Sequence, residues 1–166
     1  MLPLRTRVWR KNRRVMIIAF TGHRPNKIKD ISAVRTTIRD FLVSMLDRHK
    51  EILVYSGGAV GVDTIAADCC VELGIPFVLV LPFPPEVMTA RWPANSRAHL
   101  RFLMSKASDV VILDDHFSFA GYQRRNEYMV DHADILVAYW DGSRGGTGNT
   151  VGYAHRVGVP VINLYK

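Results

Sequence analysis

Two glycine-rich stretches each join an apolar run to a helix-like pattern, an arrangement that suits phosphate binding. Ser56-Gly57-Gly58-Ala59-Val60-Gly61-Val62-Asp63 follows the run 52–55, and Trp140-Asp141-Gly142-Ser143-Arg144-Gly145-Gly146-Thr147-Gly148-Asn149-Thr150 follows the run 135–139. Glycine lets the backbone approach a ligand closely, and the unpaired N–H groups of a helix N-terminus favour an anion. One such loop is equally well a surface turn; two in one chain point to a phosphate cradle. Neither is a Walker A loop, since no Lys-Ser or Lys-Thr follows, and neither has the spacing G-x-G-x-x-G. This points away from P-loop nucleotide hydrolysis.

Other residues could add chemistry, and each has a plainer alternative. In Thr21-Gly22-His23-Arg24-Pro25, His23 and Arg24 could hold a phosphate or carboxylate, Arg24 bidentately, or simply complete a hydrogen-bonded turn. Asp63, in the first turn of a helix, suits a ribose hydroxyl or a general base, and equally suits the helix dipole. Residues 122–127 could bring Arg125, Asn126 and Glu127 to the same place or form a solvated helix face. Asp114-Asp115-His116 and Asp131-His132 lack the ligand spacing of a familiar metal site, so no metal is expected. No Ser-His-Asp or Cys-His arrangement stands out.

The elements that must position these groups alternate along the chain. Residues 15–20 form an apolar, β-rich run. Ile31, Val34, Ile38, Leu42 and Met45 recur at steps of three and four, predicting a helix over 31–48 with Asp30 or Ser32 as N-cap. A strand at 52–55 leads to a helix striped by Val62, Ile65, Ala66, Cys69 and Leu73 and closed by Gly74. Strands at 76–81, 110–113, 135–139 and 159–164 alternate with helices at 94–106, 122–132 and 149–157, and Pro82, Pro84 and Pro85 stiffen one connection. Continuously apolar strands interleaved with helices predict an α/β fold, a mostly parallel sheet of about six strands covered on both faces. Ligands of such sheets bind at the carboxyl ends of the strands, so residues 21–24, 56–63, 114–116 and 141–150 are expected to share one rim.

At 166 residues the chain suits a single domain. Its net charge of +7 is uneven: Arg5, Arg7, Arg10, Lys11, Arg13 and Arg14 face no acid among residues 1–14, which leaves +1 for the rest. A basic tail over 1–15 is therefore set apart from a domain over 16–166, and a nucleic-acid role for the domain is not favoured. The tail is an electrostatic arm, a targeting segment or sequence upstream of a natural start at Met16; the last is preferred, because Met16 opens the first strand directly. No secretory core and no run of eighteen apolar residues occurs, so no membrane role is expected. Adjacent Cys69 and Cys70 cannot pair with each other in a helix, and a reduced, cytoplasmic setting is expected.

Thr21-Gly22-His23-Arg24-Pro25, residues 56–63 with Ala66-Ala67, Arg91-Trp92, Arg125-Asn126 with Tyr128-Met129-Val130-Asp131, and the stretch from Asp141-Gly142 to Thr150 together resemble the YpsA/YspA-like branch of the SLOG superfamily. The resemblance spans residues 16–164. It implies a Rossmann-like three-layer fold, kinship with LOG-type nucleotide phosphoribohydrolases and with DprA, and a nucleotide or nucleotide-derived small molecule as ligand. Gly145, Gly146, Thr147 and Thr150, with Asn149 between them, match the phosphate loop, and Gly57, Gly58 and Asp63 the second ligand-facing loop. Thr21, Gly22, His23, Arg24, Ser56, Arg125 and Asn126 complete the expected binding set, with no cofactor. LOG-type relatives form dimers, which implies a homo-oligomer.

One departure matters. The LOG-type motif P-G-G-x-G-T-x-x-E ends in a catalytic Glu, and the corresponding place here is Gly152. Asp63, Glu127 and Asp141 are the carboxylates left to replace it in hydrolysing an N-glycosidic bond. Without a replacement, the protein would sense or sequester a nucleotide; a DprA-like nucleic-acid binder ranks third.

Overall fold

The computed structural model describes residues 15–166. The tail assigned to residues 1–15 lies outside them, apart from Val15, which opens the first strand.

The chain runs β1 (Val15–Gly22), a 3-10 turn at Pro25–Lys27, α1 (Ile31–Arg48), β2 (Glu51–Ser56), α2 (Val62–Leu73), β3 (Phe77–Leu81), α3 (Pro85–Met88), α4 (Ala94–Lys106), β4 (Asp109–Ile112), α5 (Phe119–His132), β5 (Ile135–Tyr139), α6 (Gly146–Val157) and β6 (Val161–Asn163). All six strands are parallel, in the order β4-β3-β2-β1-β5-β6. β1 is central, with Ile18 opposite Val54 on one side and Ile135 on the other. The strand order reverses at β1, and the loops beyond its carboxyl end diverge to leave a crevice.

Side-chain alternation along β1 builds a core on each face of the sheet. Ile18 and Phe20 join Val34, Ile38 and Leu42 of α1, Ile65 and Ala66 of α2 and Leu100 and Leu103 of α4. Ile17 and Ala19 join Met129 and Val130 of α5 and Val151 and Ala154 of α6 on the opposite face. β3 is buried at every residue, as its apolar run predicts, whereas β2 alternates. The edge strands β4 and β6 are largely exposed, because each has a neighbour on one side alone.

Local signals set several boundaries. Asp30, not Ser32, caps α1, its Oδ1 accepting the Ala33 N–H at 3.1 Å. Gly74 closes α2 at φ 70°. α6 starts at Gly146, three residues before the apolar pattern suggests, because glycines carry no hydrophobic period. α5 begins earlier as well, at Phe119, with Ser118 Oγ accepting the Gly121 N–H. Among the described residues no helix is long and apolar enough to cross a membrane. Cys69 and Cys70 are buried free thiols, and burial pushes both above the usual thiol range.

Candidate functional site

His23 fastens three loops together. Its N–H donates to the Tyr139 carbonyl at the end of β5, and its own carbonyl accepts the Val62 N–H at the start of α2. Nε2 lies 3.0 Å from both the backbone N and Oδ1 of Asp141. A neutral imidazole accepts the N–H there; a protonated one donates to the carboxylate. His23 is 6% exposed, so it serves the loop and still presents an edge to the space beside it.

That space is a cavity of about 310 Å³ at the carboxyl ends of β1, β2 and β5. Its floor holds two buried groups of opposite charge, Arg125 and Asp63. Arg125 donates through Nη1 to the Gly57 carbonyl and through Nε to Asn126 Oδ1. Asp63 Oδ2 accepts the Ala59 N–H at 3.3 Å. A Cβ on Gly57 would lie 2.6 Å from Arg125 Nη1 and 2.8 Å from Asp63 Oδ2, so this glycine is the slot into which both charges fit. Burial raises the Asp63 carboxyl above its ordinary value, against the pull of Arg125 and Arg24. Burial lowers Arg125, with Asp63 opposing.

The facing wall is the loop after β5 and the start of α6. Asn163 brackets Trp140, accepting its N–H and donating to its carbonyl, and the Trp140 indole donates to the Ser143 carbonyl at 2.7 Å. Asp141 Oδ1 accepts the Ser143 N–H, and Lys27 Nζ donates to Ser143 Oγ. The loop thus held delivers Gly145, Gly146, Thr147 and Gly148, the open N-terminal turn of α6, to the cavity. Arg24, Lys27, Arg125 and Arg144 line the same space, with Asp63 the lone carboxylate among the lining residues. Four cations and a helix N-terminus against one acid favour an anionic ligand.

Of the residues singled out in the sequence, Thr21, Gly22, His23, Arg24, Asp63, Arg125, Asn126, Gly145, Gly146 and Thr147 meet at this cavity. Ser56, Gly57, Gly58, Asn149 and Thr150 are outside its lining. Ser56 Oγ donates to the Asp63 carbonyl, and Thr150 Oγ1 donates to the Gly146 carbonyl, so both brace residues that do line it. Asp141 is also outside, and the hydroxyl and N–H of Ser143 bring its carboxyl down to about 2. Glu127 likewise does not line the cavity; its charge contributes to raising Tyr153 of α6.

Residues 114–116 lie on the shared carboxyl rim, since β4 runs parallel to the other strands, but they do not line the cavity. These residues follow β4, three strands from β1, roughly 14 Å away at ordinary strand spacing. There Asp114 pairs with Arg124, and Asp115 with His116. Among the described residues no three His, Cys, Asp or Glu side chains gather as a metal site. Lining residues not chosen from the sequence include Asn26, Lys27, Tyr122 and Arg144. Arg144 was detectable as a cation within the glycine-rich stretch after β5, and Lys27 as one just beyond Thr21–Pro25.

A family model described as the YspA SLOG family matches residues 18–155. The uncharacterized SPbeta prophage-derived protein YoqJ of Bacillus subtilis (strain 168) is 26% identical over 140 residues, covering 72% of this chain and 81% of YoqJ. Among solved structures, the structural-genomics target TM1055 superposes with a TM-score of 0.60 at 21% identity, over 88% of this chain and 72% of its own. DNA processing protein A from Helicobacter pylori, described for its single-stranded DNA binding mode, gives 0.65 at 16% identity, over 88% of this chain and 63% of its own. DprA from Streptococcus pneumoniae gives 0.66 at 16%, over 89% and 49%. The chain therefore spans about half to two thirds of the DprA chains, and the likeness to these three structures is one of fold.

Proposed function

The chain belongs to the YspA SLOG family, and on that premise we propose that it binds a phosphate-bearing, nucleotide-derived small molecule in the cavity between β1, β2 and β5. The observation that carries this is the convergence of the open α6 N-terminus with Arg24, Lys27, Arg125 and Arg144 on one space of about 310 Å³. The phosphate sits on the N–H groups of Gly146, Thr147 and Gly148, as anions do at helix N-termini. Ribose and base then extend past Asn126 and Tyr122.

If the ligand is hydrolysed at its N-glycosidic bond, Asp63 is the carboxylate for the task. Water adds to the anomeric carbon, the bond to the base breaks, and a proton passes from water to the leaving base. Asp63 lines the cavity and is raised by burial, which suits that transfer. Asp141 is fully ionised at neutral pH and occupied by Ser143, and Glu127 faces elsewhere. The two buried thiols accord with a reducing, cytoplasmic setting.

The test is mass spectrometry of the full chain incubated with nucleoside monophosphates, NAD and ADP-ribose, following ligand retained and base released. Retention that is lost in Thr147→Ala and Gly146→Val supports the site. Base release lost in Asp63→Asn, with retention kept, supports the hydrolase; retention without release in the native chain makes it a sensor. Binding of single-stranded DNA but of none of these small molecules would sink the proposal in favour of a DprA-like role.

A further inference from the structure

An aromatic shelf begins at the cavity and runs out of it. Tyr122 lines the cavity and packs edge-on against Phe83, ring centroids 5.2 Å apart. Phe117 closes on both, at 5.3 Å from Phe83 and 6.3 Å from Tyr122. Phe119 continues the series at 5.1 Å from Phe117. Burial falls along it: Phe83 is fully buried, Phe117 is 48% exposed and Phe119 is 84% exposed. Phe119, Tyr122 and Asn126 stand at i, i+3 and i+7 on α5, one stripe about 10 Å long that ends at the cavity.

The surroundings hold the shelf in place. Gly121 lets Phe83 come so close that a Cβ there would be 2.5 Å from its ring. Arg124 ties Asp114 and Ser118 together across the segment that carries Phe117. Three aromatic rings fixed in an edge-to-face series, the outermost almost wholly in water, offer flat apolar area next to a site for an anion.

We infer that Tyr122, Phe117 and Phe119 form a stacking subsite for the base of the ligand whose phosphate lies at the α6 N-terminus. The inference rests on the proposed nucleotide reading and narrows it. The ligand keeps an unblocked base, which leaves the cavity over Tyr122 and stacks on the exposed rings. Stacking tolerates every base and favours the larger purine faces.

Titration calorimetry of the full chain with adenosine monophosphate and with ribose 5-phosphate separates the subsite from the phosphate site. The native chain is expected to bind the base-bearing probe about tenfold more tightly. Phe119→Ala, at a ring that supports no core, is expected to remove most of that preference and leave ribose 5-phosphate affinity unchanged. Phe119→Trp is expected to keep the preference and to lose indole fluorescence with adenosine monophosphate but not with ribose 5-phosphate. Equal affinity of the native chain for the two probes, or a preference that survives Phe119→Ala, overturns the subsite and leaves the phosphate site standing. Failure of both probes to bind overturns both. A changed oligomeric state in Phe119→Ala with the preference intact assigns the ring to a protein contact instead and also overturns it.

Discussion

The two glycine loops look alike in sequence and differ in what surrounds their glycines. In the loop after β2, the missing side chains make room for protein. A Cβ on Gly57 would strike Arg125 and Asp63, and one on Gly61 would lie 2.5 Å from the His23 carbonyl. In the loop after β5, a Cβ on Gly142, Gly145 or Gly146 would meet nothing within 4 Å, and only Gly148 packs closely, where a Cβ would fall 3.0 Å from the Ser143 carbonyl oxygen. The first loop is closed by its own fold; the second is open on the side where a ligand would sit. Glycine count alone cannot separate the two uses. What separates them is whether the space left by hydrogen is already filled.

Substitutions can break that contrast. Gly61→Ala combines a backbone at φ 118° with a clash against backbone, and is expected to cost about 3 kcal/mol, lowering Tm by about 10 °C in a thermal melt. Arg125→Met strands Asp63 in the floor without its cation. A loss of roughly 3 kcal/mol in urea unfolding at neutral pH is expected, together with loss of anion binding. Most of the stability should return in Arg125→Met with Asp63→Asn; a double variant no better than the single one would show that the two groups act separately.

Titration sharpens the contrast, because the two loops carry acids shifted in opposite directions. Asp63 is raised, so its contribution is full below the ordinary aspartate value near pH 3.9 and is lost as pH rises through its higher folded value. Asp141 is lowered to about 2, so its contribution is present above about pH 3.9 and is lost as pH falls towards 2. Urea unfolding across pH should therefore show Asp63→Asn gaining on the native chain as pH rises and Asp141→Asn gaining as pH falls. The same slope for both would contradict the assignment. The smallest effect on stability belongs to Gly146→Ala, within about 1 kcal/mol and in the stabilising direction, since alanine suits a helix better than glycine. Ligand affinity should nonetheless fall about tenfold in calorimetry, an estimate that takes one misplaced phosphate hydrogen bond as its measure.

The fold was legible wherever one period dominated. The helix over 31–48 and the strand over 135–139 coincide with α1 and β5 because apolar spacing and flanking caps agree there. α3, a single turn of four residues, is too short to show a period. The site was legible in part, since a loop that follows a strand must lie at the strand's carboxyl end. Its lateral position depends on strand order, which no local pattern encodes, and residues 114–116 consequently lie on the same rim but three strands from β1, outside the cavity lining. Glu127 shows a second limit. It stands two residues from Arg125, about 200° around the helix, so bringing one to the cavity turns the other away. Nor did sequence alone rank Asp63 above Asp141, because burial beside Arg125 and donation from Ser143 are tertiary facts.

The pairing of β1 with β5 has a consequence for when the candidate site is assembled. Ile18 pairs with Ile135, so the two walls of the cavity come from segments made more than a hundred residues apart. During synthesis, β1, β2 and β3 with their helices are available long before Gly146 and Thr147 emerge. A nascent chain stopped before β5 has the acid and the arginine of the floor but lacks the wall formed by the start of α6. Closure over so long a separation is slow compared with local helix formation, so the cavity is among the last features the folding chain completes, and the proposed ligand capture would be a late marker of that completion.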